Sequence, residues 1–143
     1  MHDDRFDLAR FVAAQDGAYE RAVQEIREGL KTSHWMWFIF PQLAGLGGSP
    51  MAMRYAIGSL EEARAYLAHP LLGPRLVACV ETLNGLSGRS AEAIFGFPDV
   101  LKLRSCLTLF AEAASDAAPF RAALERYYAG ERDDRTLALL AQR

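Results

Sequence analysis

The sequence predicts a compact all-α single domain, residues 1–143, built from about seven to nine helices. Three observations carry that prediction. Apolar residues recur at helical spacing along nearly the whole chain, as at Tyr19, Val23, Ile26 and Leu30. Serine, glycine and proline fall where helices start and stop. Convincing strand alternation is absent, and the richness in alanine supports helix. At 143 residues the chain is long enough for one domain with a real core. No internal repeat, linker or low-complexity stretch divides it.

Phe6 to Ala14 reads as the first helix, with Asp3 and Asp4 as cap candidates. Gly17 to Leu30 is the second, and Gly29 is its stop signal. An irregular or short-helical aromatic segment follows, with a short extended piece in Trp35 to Phe40 as the alternative. Ser49-Pro50 starts a helix, Ser at the cap and Pro at the first helical position. Ser59 to Glu62 reads as a capping box for a helix through Tyr66 and Leu67, which His69-Pro70 breaks. Leu72, Leu76, Val80 and Leu83 mark the next helix, ending near Asn84-Gly85. Ser90 caps a short helix to Phe95. Gly96 to Asp99 turns into a long helix with Leu103, Leu107 and Phe110 on its core face. Pro119 to Tyr128 is a further helix, stopped by Gly130, and Asp134 to Arg143 closes the chain.

Composition narrows the function classes. Net charge is −2 and the pI about 5.9, so no basic field for general nucleic-acid or membrane-surface binding is present, although a small basic pocket remains open. Cys79 and Cys106 sit on apolar helical patterns and read as buried free thiols. The three histidines, His2, His34 and His69, are far apart and no CxxC occurs, so no metal site and no cofactor are expected. The acidic N-terminus lacks the apolar run of a signal peptide. Trp35 to Phe40 is far too short to span a bilayer, so a cytoplasmic protein is expected.

The most informative stretch is Lys31 to Pro50, KTSHWMWFIFPQLAGLGGSP. It holds both tryptophans and one of only two lysines in a chain whose sixteen basic residues are otherwise arginine. So apolar a segment must be buried, and its polar edges, Ser33, His34 and Gln42, need partners. His34 reads as an acid/base group at a pocket wall, or as a histidine bonded to backbone. Trp35 and Trp37 read as stacking faces for a ligand ring, or as core. Gln42 reads as a reader of a ligand's amide or base edge, or as a turn residue. Gly45 to Pro50 matches neither a Walker loop nor a GxGxxG fingerprint.

The second candidate region is Pro98 to Thr108. Asp99, Lys102, Ser105 and Thr108 form a polar row at three-residue spacing. Asp99 reads as a first-turn acid or as half of an Asp–Lys pair marking a site. Lys102 and Lys31 supply compact ammonium groups suited to phosphate. No GxSxG elbow and no readable carboxylate pair is present. Because both regions embed polar groups in apolar sequence, His34, Gln42, Asp99 and Lys102 are expected to meet across one cleft.

The chain resembles domain-of-unknown-function family 1810, whose members often carry a calpastatin label. The resemblance runs from about Phe6 to Leu140. It rests on KTSHWMWFIFPQLAGLG at Lys31 to Gly47, EARAYLAHPLLGPRL at Glu62 to Leu76, and GFPDVLKLRSCLTLF at Gly96 to Phe110. It implies a single-domain helical fold and brings no established activity. The family's usual serine pair stands here as Ser105-Cys106. Calpastatin itself would be a long disordered inhibitor, which this apolar chain does not resemble. More distantly, the Asp-x-x-Lys turn after a leucine-rich helix is similar to NADAR/YbiA-type proteins, which act on ADP-ribose and related N-glycosides. That likeness implies a nucleotide-type pocket lined by Lys31, His34, Trp35, Trp37, Gln42, Asp99 and Lys102. The expected function is then an N-glycoside or ADP-ribose-type hydrolase with a small nucleotide-like ligand, Asp99 and His34 being catalytic and Ser33 and Ser105 joining the ligand-binding residues. The alternative is a non-catalytic module that binds a nucleotide or a peptide.

Overall fold

The computed structural model describes residues 4–143; His2 and Asp3, one of the two cap candidates, lie outside the described residues. Ten helices follow in order: α1 (Ala9–Gln15), α2 (Ala18–Glu28), α3 (Met36–Ile39), α4 (Pro50–Arg54), α5 (Leu60–Ala68), α6 (Leu72–Asn84), α7 (Ala91–Phe95), α8 (Asp99–Ala113), α9 (Ala118–Tyr128) and α10 (Asp134–Ala141). Among the described residues no strand forms; one isolated parallel bridge joins Leu43 to Ile57. The fold is all-α. The count exceeds the expected seven to nine by α3, a single turn of four residues in the aromatic segment; α4 and α7, each five residues, stand where serine caps placed them. The stretch read as a possible extended piece is helical at Met36–Ile39. No helix is long and apolar enough to cross a membrane among the described residues.

Local chemistry explains the boundaries. Ser49, Ser59 and Ser90 each accept a hydrogen bond from the amide three residues on, which satisfies an otherwise orphaned N–H. Asp4 does the same from outside α1, its carboxylate accepting from the Leu8 and Ala9 amides. Those backbone bonds stabilise the ionised form and hold its pKa below the usual carboxylate range. Gly29 ends α2 with φ 75°, a left-handed conformation that glycine adopts without a Cβ clash.

Helix α8 is the centre of the molecule. Leu103, Cys106, Leu107, Leu109 and Phe110 are wholly buried, and α8 packs against α5, α7, α9 and α10. The second half of its polar row is buried too: Ser105 and Thr108 face α10, where Asp133 is their partner. Cys79 and Cys106 are buried free thiols. Burial pushes Cys79 up to about 12, which leaves no thiolate for chemistry near neutrality.

Arg10 ties α1 to the rest of the chain. Its guanidinium donates to the carbonyls of Phe6, Asp7, Arg54 and Ala56 and to the Glu62 carboxylate at 2.8 Å. Glu62 also accepts from the Gly58 amide, so α1, the 54–58 loop and α5 converge on one cation. Arg10→Met keeps the apolar stem and leaves the buried Glu62 carboxylate without its counter-charge. A loss of about 2–3 kcal/mol is expected in urea unfolding; a loss below about 0.5 kcal/mol, the level of an exposed pair, would contradict this account.

Candidate functional site

The loop from Leu30 to Trp35 is shaped by a single carboxylate. After Gly29 the chain folds back over the last turn of α2, where Glu25 is buried. Glu25 Oε1 accepts from the Thr32 amide at 2.8 Å, the Ser33 amide at 2.9 Å and Trp35 Nε1 at 2.9 Å, while Oε2 accepts from Ser33 Oγ at 2.6 Å. Burial alone would raise its pKa. The hydrogen bonds from Ser33, Thr32 and Trp35 together outweigh burial and bring it down to about 2.

That loop delivers Lys31 to α8. The Lys31 amide donates to Ile94 O at 2.7 Å, and its Nζ sits 2.8 Å from Asp99 Oδ2 and 5.0 Å from the centre of the Trp35 ring. The other oxygen, Asp99 Oδ1, lies 3.6 Å from Lys102 Nζ, which in turn sits 5.6 Å from the Trp37 ring centre. The two segments picked from sequence therefore do touch, through Lys31–Asp99 and Lys102–Trp37. Asp99 takes no capping bond; Pro98 is the N-cap and the carboxylate is turned onto the two lysines.

A cavity of about 260 Å³ opens beside this triad. Its walls come from the 42–47 segment (Gln42, Leu46), the start of α8 (Pro98, Leu101, Lys102, Arg104, Ser105) and the start of α10 (Asp133, Arg135). The 42–44 segment is fixed by the Leu43–Ile57 bridge, in which the Ile57 amide donates to Gln42 O and the Ala44 amide to Ile57 O. The start of α10 is fixed by Asp133, whose amide donates to Thr108 Oγ1 and whose Oδ2 accepts from Ser105 and Thr136. Three cations thus face one carboxylate that already holds two hydroxyls. Among the described residues Arg135 has no ion pair, Arg104 reaches only the exposed Glu131 at 3.9 Å, and the buried Arg104 Nε has no hydrogen-bond partner.

The expected site residues divide accordingly. Lys102, Gln42 and Ser105 line the cavity; Lys31 and Asp99 stand behind it; Trp37 is half-buried beneath Lys102. Ser33 is spent on Glu25. Two expectations need correction. Trp35 is 1 % exposed, packed edge-on to Phe95 and bonded to Glu25, so no face is left for a ligand ring. His34 is exposed and lies with Ala18 and Arg21 along a separate depression, because its neighbours Ser33 and Trp35 both turn inward to Glu25. It does not join Gln42 and Lys102. Arg104, Asp133 and Arg135 escaped the sequence reading. Among the described residues, no group of three or more His, Cys, Asp or Glu is placed to hold a metal ion.

No curated protein matches the chain. A crystal structure at 1.38 Å of the conserved hypothetical protein Rv1873 from Mycobacterium tuberculosis is similar, with a TM-score of 0.95 and 59% identity over 96% of this chain and 99% of that one. The fold is therefore shared with an experimentally determined one, and the name of that protein carries no activity. A family model described as a protein of unknown function, DUF1810, matches residues 5–140, and the chain belongs to that family.

Proposed function

We propose that this protein binds a small phosphate-bearing, nucleotide-like ligand in the cavity between α8, α10 and the 42–47 segment. The observation that carries the reading is the charge of that cavity: Lys102, Arg104 and Arg135 line it against Asp133 alone. Phosphate oxygens satisfy guanidinium and ammonium donors at once. Leu46, Pro98 and Leu101 give the same cavity an apolar wall for a ring, and the Gln42 amide can read its edge.

The geometry favours binding over hydrolysis of an N-glycoside. A developing oxocarbenium ion needs a carboxylate oxygen facing the sugar. Both oxygens of Asp99, the carboxylate expected to be catalytic, turn to lysines, which leaves neither facing a sugar. The volume, about 260 Å³, lies just below the roughly 300–1,000 Å³ usual for ligand pockets. It suits a mononucleotide better than ADP-ribose.

Thermal shift and calorimetry with AMP, ADP-ribose and inorganic phosphate test this. AMP at 100 times its dissociation constant should stabilise the chain by roughly 2.7 kcal/mol. Lys102→Met should remove the shift and leave the unliganded Tm within a few degrees, since the stem stays and only a partly exposed charge leaves. Absence of any AMP or phosphate response sinks the binding reading. Release of free adenine or ribose products on incubation would restore the hydrolase.

A further inference from the structure

We infer that Lys31 sets the anion affinity of the cavity without touching the ligand, by neutralising Asp99 so that Lys102 is left available to phosphate. The inference rests on the binding reading above and assigns a new role within it. Three observations support it. Lys31 does not line the cavity, and its side chain is 9% exposed, so a ligand there meets Lys102 and not Lys31. The Lys31–Asp99 contact at 2.8 Å is a full ion pair, whereas Lys102–Asp99 at 3.6 Å is slack. Lys31 is also pre-positioned: its amide is bonded to Ile94 O, its ammonium lies over Trp35, and its loop is held by Glu25.

The electrostatics follow. Two ammonium groups and one carboxylate give the triad a net charge of +1 beside the cavity. Without Lys31 the triad is neutral, and Lys102 becomes the sole counter-ion of Asp99. The same carboxylate then competes with phosphate for Lys102. Because Asp99 is only 18% exposed, the competition is poorly screened by solvent. Lys31 is thus a positioning residue acting through Asp99, not a ligand contact.

AMP titration calorimetry on the full chain separates the possibilities, with inorganic phosphate as the base-free control. Lys31→Met should weaken both ligands by about tenfold or more at low salt. Lys31→Arg should bind as wild type. The decisive variant is Lys31→Met combined with Asp99→Asn, which removes the competing charge and should return affinity to within about threefold of wild type. A purely structural role for Lys31 predicts no such recovery. Asp99→Asn alone should bind AMP more tightly than wild type, and it serves where Lys31→Met folds poorly. A double variant as weak as Lys31→Met, or an Asp99→Asn chain no tighter than wild type, overturns the inference while leaving the binding site standing. A wild-type chain that binds neither AMP nor phosphate overturns both.

Discussion

Glu25→Ala should cost about 4 kcal/mol of unfolding free energy, a large share of the roughly 5–15 kcal/mol margin of a natural domain. The substitution removes the acceptor of four hydrogen bonds at once. The Trp35 indole N–H is the worst affected, since Trp35 is 1 % exposed and no water reaches it. The Thr32 and Ser33 amides can partly recover with solvent. Glu25→Gln should be milder, about 1–2 kcal/mol: the amide oxygen can still face three donors, and Ser33 Oγ can accept from the amide nitrogen. The pH dependence has a definite sign. The folded pKa of about 2 lies below the ordinary 4.5, so the folded state favours the carboxylate. Its contribution, about 2 kcal/mol after allowing for partial solvent contact, is fully present above pH 4.5 and is lost as pH falls toward and through about 2. Urea unfolding of wild type and Glu25→Gln from pH 7 to pH 2 should therefore converge in acid. Parallel curves with a constant gap would show that the hydrogen bonds are not charge-assisted.

Glu25 also illustrates why the site was only half legible in the sequence. Within Val23 to Gly29 it looks like one of several charged residues on a solvated helix face. Its burial comes from the loop folding back at Gly29, and the only cue was a glycine stop followed by donors at Thr32 and Ser33. Helix starts were legible because a serine cap acts within three residues. The all-α class was legible because periodicity is local. Lys31 and Lys102 stood out because lysine is rare in this chain, and both reached Asp99. Arg104 and Arg135 did not, being two arginines among many and about thirty residues apart; only the packing of α10 on α8 brings them to one cavity. His34 was misplaced for a directional reason. When Ser33 and Trp35 both turn to the same carboxylate, the residue between them points outward.

Gly73→Ala should destabilise the fold by about 3–5 kcal/mol, and Gly85→Ala, at the other end of the same helix, should be neutral or mildly stabilising. The contrast isolates packing from helix propensity. Alanine is the better helix former, so propensity alone favours Gly73→Ala by roughly 0.5–1 kcal/mol. The packing runs the other way. Helices α5 and α6 are joined by the short His69–Leu71 turn, where His69 Nδ1 accepts from the Leu71 and Leu72 amides. That turn brings the end of α5 against the start of α6. A Cβ at position 73 would lie 2.0 Å from Leu67 O and 2.8 Å from Leu67 C. Both are backbone atoms of α5 and cannot rotate away, so one helix must shift, and with it the buried Tyr66 and Leu72 on either side. At Gly85 the nearest atoms to a new Cβ are 3.6 Å away, and φ is −87°, which alanine adopts freely. Calorimetric Tm values decide the matter. A Gly73→Ala chain melting within about 2 °C of wild type would mean that α5 and α6 separate at little cost, against the rigid close approach argued here.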